Sequence, residues 1–304
     1  QFNKVSNQLL TYNQAGILGI SGIGKTQLAR MYAYKHKEQY DIVWFFDCKA
    51  DLAEQFVGLA KIINSSICKS NGCNLSDTVD TSQKSVIEYL TPQKNWLLVF
   101  DNLTINQNQK IKDIIEWQHN GHVILCSQDA KDLPMPIRMT TFDLKDSIEI
   151  LTKLMGHTKR EDIDELAKIF KGNPVLTVKA SLFLKDNKYM SPEEYKNILS
   201  KSNNQVQTHV ELVIKQLNEP TKDFLNKIAL LNNQKISKNI MEYIVVDKGD
   251  LTEILYNLSR FDIITNTNEV ELIFEMHDII KDAVLELAGG KINQKNANKL
   301  LDRF

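Results

Sequence analysis

The chain has 304 residues, of which 42% are hydrophobic and 25% are charged, and its formal net charge at pH 7 is -1. This length and composition are typical of a soluble globular protein with two or three domains. The near-zero net charge excludes a global electrostatic attraction to nucleic acid or to an anionic membrane, so either partner would need a local basic patch.

The ends of the sequence and the lengths of its apolar runs bear on the cellular location of the protein. No secretory leader is recognisable, and no apolar run has the length needed to cross a bilayer. We therefore predict a cytoplasmic protein without a membrane partner. The chain begins with Gln1 and its last residues, 291–304, read as the start of a further helical or repeat region, so we expect a piece of a longer protein.

Short apolar strands alternate with amphipathic helices in the first part of the chain. The predicted strands are GILGI (16–20), IVWFFD (42–47), WLLVFD (96–101), HVILCS (122–127) and RMTTFDL (138–144). Continuous apolar strands between helices are typical of a parallel sheet that is covered on both faces. We predict one α/β domain over residues 1–142.

The pattern then changes to helical spacing. DSIEILTKLM, DIDELAKIF and PVLTVKASLFL predict a small helical domain over residues 143–205. Further helical stretches follow, and FDIITNTNEVELIFEMHD is interpreted as two strands joined by a polar TNTN turn. Helices followed by a two-stranded ribbon indicate a winged-helix domain over residues 206–290.

The four cysteines favour packing over metal chemistry. Cys68 and Cys73 are predicted to be two loop thiols and not half of a zinc site, because no second pair of Cys or His follows at ligand spacing. Cys48 and Cys126 belong to apolar strands and are predicted to be buried.

GISGIGKT (19–26) matches the phosphate-loop pattern GxxxxGK[ST], follows a strand and opens the helix QLARMYAYKH. Glycines let successive amide hydrogens face an anion, and the helix N-terminus adds its positive dipole end. The lysine would reach the β- and γ-phosphates, and the threonine hydroxyl would bind Mg²⁺. This context favours a phosphate loop over a ligand-free glycine turn. The predicted nucleotide-binding residues are Gly19, Gly22, Ile23, Gly24, Lys25, Thr26 and Gln27.

Three polar residues at strand ends are the candidate catalytic groups. Asp101 ends an apolar strand, where open α/β sheets bind ligands, and we predict that it holds Mg²⁺ and does not merely start a turn. Asn102 can orient a water but is a poor general base, because an amide does not take a proton. Gln128 is either within reach of a γ-phosphate or a polar strand end in solvent. Since Gln128 is uncharged, we expect a weak ATPase at most.

Five segments in order resemble the motifs of one family. GILGISGIGKTQLA, NWLLVFDN, HVILCSQD, KGNPVLTVKA and EMHDIIKDAV are similar to the phosphate loop, Walker B, sensor, GxP and MHD motifs of the NB-ARC class of STAND nucleotide-switch ATPases. The frequent Lys, Asn and Ile suggest a bacterial member. The resemblance implies an AAA+-like α/β P-loop domain with strand order 5-1-4-3-2, followed by a helical domain and a winged-helix domain.

The resemblance also implies cofactors and partners. ADP or ATP with Mg²⁺ would be bound, Pro174 would pack against the adenine, and His277 would bond the β-phosphate of ADP. ADP would hold a closed monomer, and exchange for ATP would open it to form a homo-oligomer, in response to a ligand or protein sensed by a region beyond Phe304. Many members have a second acid where this chain has Asn102 and an arginine where it has Gln128, so hydrolysis is expected to be slow or assembly-dependent.

Structural interpretations of the later motifs remain open beside these roles. His277 can be a histidine that packs at the start of the helix DIIKDAVLEL, where Asp278 stabilises the turn. Pro174 can start a helix and still contact a nucleotide. A bond from His277 to a phosphate would contribute about 1.5 to 3 kcal/mol.

Three other functions were weighed. An AAA+-like remodeller with efficient hydrolysis would need a better base and a charge-neutralising arginine than Asn102 and Gln128 supply. A winged-helix DNA-binding regulator is disfavoured, because the predicted recognition helix carries Asp250 and Glu253 against Arg260, and phosphate contacts need basic residues. A nucleic-acid or metabolite kinase has no evident substrate site in the sequence.

Overall fold

The computed structural model describes residues 1–68, 72–104, 118–133, 135–156, 158–187, 189–231, 235–245, 248–268 and 272–287. The chain divides into two compact units, residues 1–140 and 141–304. The predicted region at 291–304 lies outside the described residues. Among the helices of the described ranges, none is both long enough and apolar enough to cross a membrane.

The first unit is an α/β layer structure. Its helices within the described ranges are α1 (Phe2–Tyr12), α2 (Lys25–Lys35), α3 (Leu52–Ile63) and α4 (Ser82–Leu90). Its strands are β1 (Gln14–Leu18), β2 (Ile42–Asp47), β3 (Trp96–Leu103), β4 (His122–Ser127) and β5 (Pro136–Arg138). These strands pair in parallel in the order β2-β3-β4-β1-β5, which confirms the predicted order 5-1-4-3-2.

Strand β3 shows why the sheet needs helices on both faces. Trp96, Leu98 and Phe100 pack into one cluster with side chains of α3 and α4. Leu97 and Val99 point the other way and pack into a second cluster with α1 and α2. Side chains alternate between the faces of a strand, so a strand buried on both faces is apolar at every position.

Two predicted strands, β1 and the edge strand β5, were placed too late in the sequence. β1 ends at Leu18 and not at residue 20, because the chain turns at Gly19. β5 spans Pro136–Arg138 and not 138–144, because its partner β1 has ended by then. Beyond β5, Asp143 instead accepts a hydrogen bond from the Asp146 amide and caps the next helix.

The prediction of two loop thiols was wrong. Cys68 and Cys73 form a disulfide with a Cα–Cα distance of 4.7 Å, within the ordinary range for such a bond. Cys48 and Cys126 are buried free thiols, as predicted. Burial raises the pKa of both, so they stay protonated packing residues.

The second unit is mainly helical. Its described helices are α5 (Leu144–Met155), α6 (Arg160–Phe170), α7 (Pro174–Asp186), α8 (Pro192–Ser200), α9 (Gln205–Gln216), α10 (Glu219–Ala229), α11 (Lys238–Ile244), α12 (Lys248–Arg260) and α13 (Asp278–Leu287). One hydrophobic cluster runs through this unit from Leu151 on α5 to Val284 on α13. The helices and the strands that follow them therefore share a core.

A small antiparallel sheet lies in the second unit. Its strands β6 (Lys235–Ser237), β7 (Ile264–Asn268) and β8 (Ile273–Met276) pair in the order β6-β8-β7. The predicted TNTN turn was wrong, because these residues belong to β7, where Asn266 pairs with Phe274 and Asn268 with Ile273. Cross-strand pairing thus overrides the local turn preference of Asn.

Candidate functional site

The turn between β1 and α2 has a backbone that favours glycine. Gly22 and Gly24 have φ angles of 75° and 99°, which side chains with a Cβ rarely adopt. The amide of Gly19 donates to the carbonyl of Ser127 at 3.2 Å and so ties the start of the turn to the end of β4. The turn leads directly into the N-terminus of α2, whose first-turn amides have no partners within the helix.

Lys25 is the first residue of α2, and its side chain returns over the turn. Its Nζ donates to the carbonyl oxygens of Gly19 at 2.9 Å and Ile20 at 3.1 Å. The side chain is buried, which holds a positive charge beside the turn and the N-terminus of α2. Such an arrangement suits a multivalent anion.

Thr26 and Asp101 are brought together from separate elements. The hydroxyl of Thr26 donates to Oδ2 of Asp101 at 2.5 Å. Both predicted magnesium ligands therefore lie at one point beside the turn. A hydroxyl and a carboxylate are oxygen donors, the kind that Mg²⁺ prefers.

The environment of Asp101 sets its protonation. Asp101 is 8% exposed, and this burial raises the pKa of its carboxyl. Hydrogen bonds from Thr26 and from the Asn102 amide, together with the charge of Lys25, act in the opposite direction, whereas the charge of Asp47 raises the pKa further. A cation bound beside Asp101 would stabilise its ionised form and would oppose the effect of burial.

Asp47 is a residue that sequence reasoning missed. It ends β2, stands opposite Asp101 in the parallel register, and accepts a hydrogen bond at Oδ1 from Nδ2 of Asn102 at 3.0 Å. A signal was present in the sequence, because IVWFFD and WLLVFD both end in Phe-Asp. The two aspartates lie close together only because β2 and β3 are neighbours in the sheet.

The other predicted residues of the first unit have different surroundings. Ile23 is buried within the turn, and Gln27 is exposed on α2. Gln128 follows β4, which lies between β1 and β3, and its side chain is exposed. Exposure is compatible with both interpretations of Gln128, the ligand contact and the polar strand end.

Pro174 and His277 belong to the second unit. Pro174 is in the first turn of α7, where Asn173 caps the helix by accepting from the Leu176 amide at 3.1 Å. His277 immediately precedes α13, and its Nδ1 accepts from the amide of Ile279 at 3.2 Å. Both residues therefore have the structural roles that remained open in the sequence, at helix N-termini.

The hydrogen bond at Nδ1 fixes the tautomer of His277. Burial lowers the pKa of His277, which favours the neutral imidazole. Since Nδ1 is an acceptor, the single ring proton of the neutral form is on Nε2. His277 thus carries a defined N–H donor.

One solved structure matches nearly the full length of this chain. Similarity to a STAND protein with a tetratricopeptide repeat sensor from Pyrococcus horikoshii extends over 99% of this chain, with a TM-score of 0.66 and 18% sequence identity. The first unit has a P-loop ATPase fold. At this identity the likeness concerns the fold alone.

Other matches to the P-loop ATPase fold are more distant. The ADP form of an ORC2 protein from Aeropyrum pernix has a TM-score of 0.45 and 12% identity, with 96% of this chain and 93% of that chain covered. A Drosophila ORC bound to DNA has a TM-score of 0.41 and 13% identity, with 94% of each chain covered. No protein-family model and no curated protein matches the sequence.

The P-loop ATPase fold seen here is part of a larger architecture in the Pyrococcus protein. This chain spans 44% of the length of that protein. In the chain itself, the fold brings together a glycine-rich turn, a lysine, and a hydroxyl–carboxylate pair at the carboxyl ends of parallel strands. That is the place at which open α/β sheets bind ligands.

Proposed function

We propose that this protein is an ATP- and ADP-binding molecular switch of the STAND type, with slow or assembly-dependent ATP hydrolysis. The observation that carries the proposal is the contact between Thr26 of the glycine-rich turn and Asp101 of β3, beside the ammonium group of Lys25. A nucleoside polyphosphate with its divalent cation is the ligand class that uses all of these groups at once.

Different residues of this site would bind the phosphates and the metal ion. Amides of the turn and Lys25 would bind the phosphates, and Thr26 with Asp101 would hold Mg²⁺. A bound Mg²⁺ would neutralise phosphate charge. Gly19, Gly22, Ile23, Gly24 and Gln27 would shape or border the phosphate-binding segment.

In the second unit we propose that Pro174 packs against the adenine and that His277 bonds the β-phosphate of ADP. The Nε2 proton of His277 supports this role, because a neutral imidazole with Nδ1 occupied by a backbone amide presents one donor of fixed direction. A ligand that contacts groups in both units can shift the balance between closed and open states, since its affinity for the two states differs.

The domain organisation and partners follow as further parts of the proposal. We propose a nucleotide-binding domain over 1–142, a helical domain over 143–205 and a winged-helix domain over 206–290. The sheet β6-β8-β7, with β6 preceding two helices, supports the winged helix. We expect a cytoplasmic protein, monomeric with ADP and self-associating with ATP, that responds to a ligand or protein and not to nucleic acid or membrane.

The direct test is to denature the purified protein and to measure the released nucleotide by chromatography. We expect roughly stoichiometric ADP from the parent protein. Lys25→Ala should release little or none, because the phosphates lose their buried cation. Lys35→Ala, at the exposed far end of the same helix, is the matched control and should retain the nucleotide. Equal retention in both variants would contradict the phosphate-loop assignment.

A further inference from the structure

Asn102 stands between two carboxylates and donates a hydrogen bond to each. Its backbone amide donates to Oδ1 of Asp101 at 2.9 Å, and its side-chain Nδ2 donates to Oδ1 of Asp47 at 3.0 Å. The φ angle of Asn102 is 59°, a left-handed conformation that Asn tolerates better than most residues. This residue therefore bridges the ends of β2 and β3.

Asp47 is held in place from its other side. The Gln55 side chain on α3 bonds both backbone groups of Asp47, with Oε1 accepting from its amide at 2.8 Å and Nε2 donating to its carbonyl at 2.9 Å. The Lys49 amide also donates to Oδ1 of Asp47 at 3.1 Å. A carboxylate fixed in this way has the defined position that proton transfer requires.

The chemistry of the bridge explains an amide at position 102. Asp47 and Asp101 lie opposite each other at the ends of neighbouring strands, so their negative charges repel. An asparagine side chain offsets this repulsion by donating a hydrogen bond, whereas a carboxylate at position 102 would have no proton to donate and would add a third negative charge. Asn102 is thus suited to a site whose second acid is Asp47.

We propose that Asp47 is the general base for the slow hydrolysis of ATP and that Asn102 is the residue that positions it. This inference rests on the proposed function. It assigns the second acid, which is absent from the end of β3, to the end of the neighbouring strand β2.

In the proposed step, water displaces ADP from the γ-phosphorus of ATP. A water oxygen forms a bond to the γ-phosphorus while the bond from that phosphorus to the β,γ-bridging oxygen breaks, and ADP leaves with the electron pair. One water proton passes to the Asp47 carboxylate and from there to the released phosphate. Oδ1 of the Asn102 amide can accept a hydrogen bond from the same water and so orient it.

The test compares Asp47→Asn, Asn102→Asp and the exchanged double variant in single-turnover conversion of bound ATP to ADP. Asp47→Asn preserves shape and hydrogen bonding, and we expect its rate to fall by about 100-fold or more, the range for loss of a general base. Asn102→Asp alone should not raise the rate of hydrolysis, because its added negative charge is repelled by Asp47 and Asp101. The double variant restores one acid and one amide and should recover much of the rate lost in Asp47→Asn.

Asp41→Asn, just before the opposite end of β2, is the control and should hydrolyse ATP like the parent protein. An unchanged rate in Asp47→Asn, or a large gain in Asn102→Asp alone, would overturn the assignment. So would a parent protein that never converts its bound ATP.

Nucleotide binding measured on the same samples separates the two proposals. If the parent protein and all variants bind ATP but Asp47→Asn hydrolyses it at the parent rate, only the assignment of Asp47 as the general base is contradicted. If the parent protein binds no nucleotide, the proposed switch function itself fails and the assignment fails with it.

Discussion

At the scale of single residues, the candidate site depends on where charges are buried. Asp101 is shielded from solvent at the carboxyl end of a central strand, and its pKa is raised chiefly by that burial. Thr26 and Lys25 offset part of this effect through a hydrogen bond and a positive charge. If Mg²⁺ binds here as proposed, it would replace a proton on a carboxyl group whose pKa is raised.

Asp101→Asn should weaken magnesium-dependent ATP binding by about tenfold or more, since a charge-assisted contact contributes about 1.5 to 3 kcal/mol. In the parent protein the magnesium dependence should also weaken as pH falls, because protonation removes the negative charge of Asp101. The raised pKa places this loss at a higher pH than for an ordinary aspartate.

Magnesium titrations of ATP binding at several pH values measure both effects. Asp80→Asn, an exposed loop substitution, is the control and should behave as the parent protein does. A metal dependence that Asp101→Asn leaves unaltered would remove Asp101 from the site.

At the scale of secondary-structure elements, one ion pair joins helix α7 to the segment before β7. Nζ of Lys179 donates to Oδ2 of Asp262 at 2.6 Å and also to the Asp262 backbone carbonyl. Lys179 is 8% exposed, and Asp262 has a positive φ of 52°. The same ammonium charge contributes to the lowered pKa of His277, though less than burial does. The helix that begins at Pro174 is therefore coupled electrostatically to the segment that carries His277.

Lys179→Met should lower the free energy of unfolding by about 1 to 3 kcal/mol, because it leaves a carboxylate and a carbonyl without their buried donor. Lys185→Met, on the exposed side of the same helix, makes the same chemical change and should cost much less. Urea denaturation of the intact chain compares the two variants. Equal losses would mean that the ion pair contributes no net stability.

At the scale of the whole molecule, the proposed switch gives ADP a contact with His277 of the second unit. The proposed contact of His277 with phosphate can be tested separately from the structural role of His277 at the start of α13. Its Nδ1 accepts from the Ile279 amide, whereas the proposed phosphate contact uses Nε2. The two roles therefore belong to different ring atoms.

His277→Ala should speed the release of ADP by about ten- to a hundredfold, the equivalent of one hydrogen bond to a charged phosphate. His277→Asp keeps an acceptor for the Ile279 amide and favours the helix N-terminus, but it repels phosphate. Fast release from His277→Asp without loss of thermal stability would assign the effect to the nucleotide contact. Release that is unchanged in both variants would leave His277 with its helix-start role alone. Stopped-flow displacement of a fluorescent ADP measures these rates.

The sequence by itself determined the parts of the molecule that depend on local chemistry. The glycines and Lys25 of GISGIGKT predict a strand, a turn and a helix start because each preference acts within a few residues. The apolar runs of β2 and β4 were delimited correctly. For β4 the reason is its burial between β1 and β3, since a strand buried on both faces is apolar along its whole length. Asn173 and Pro174 likewise predict the start of α7.

Only the tertiary structure decided which of these local features meet. Asp47 and Asn102 are 55 positions apart in the sequence and become partners because β2 and β3 are neighbours in the sheet. β5 ends where its partner β1 ends, and the polar residues of β7 extend as a strand because β8 pairs with them. Hydrogen bonding between strands depends on the partner and not on the segment alone, so neither outcome could be predicted from local preferences.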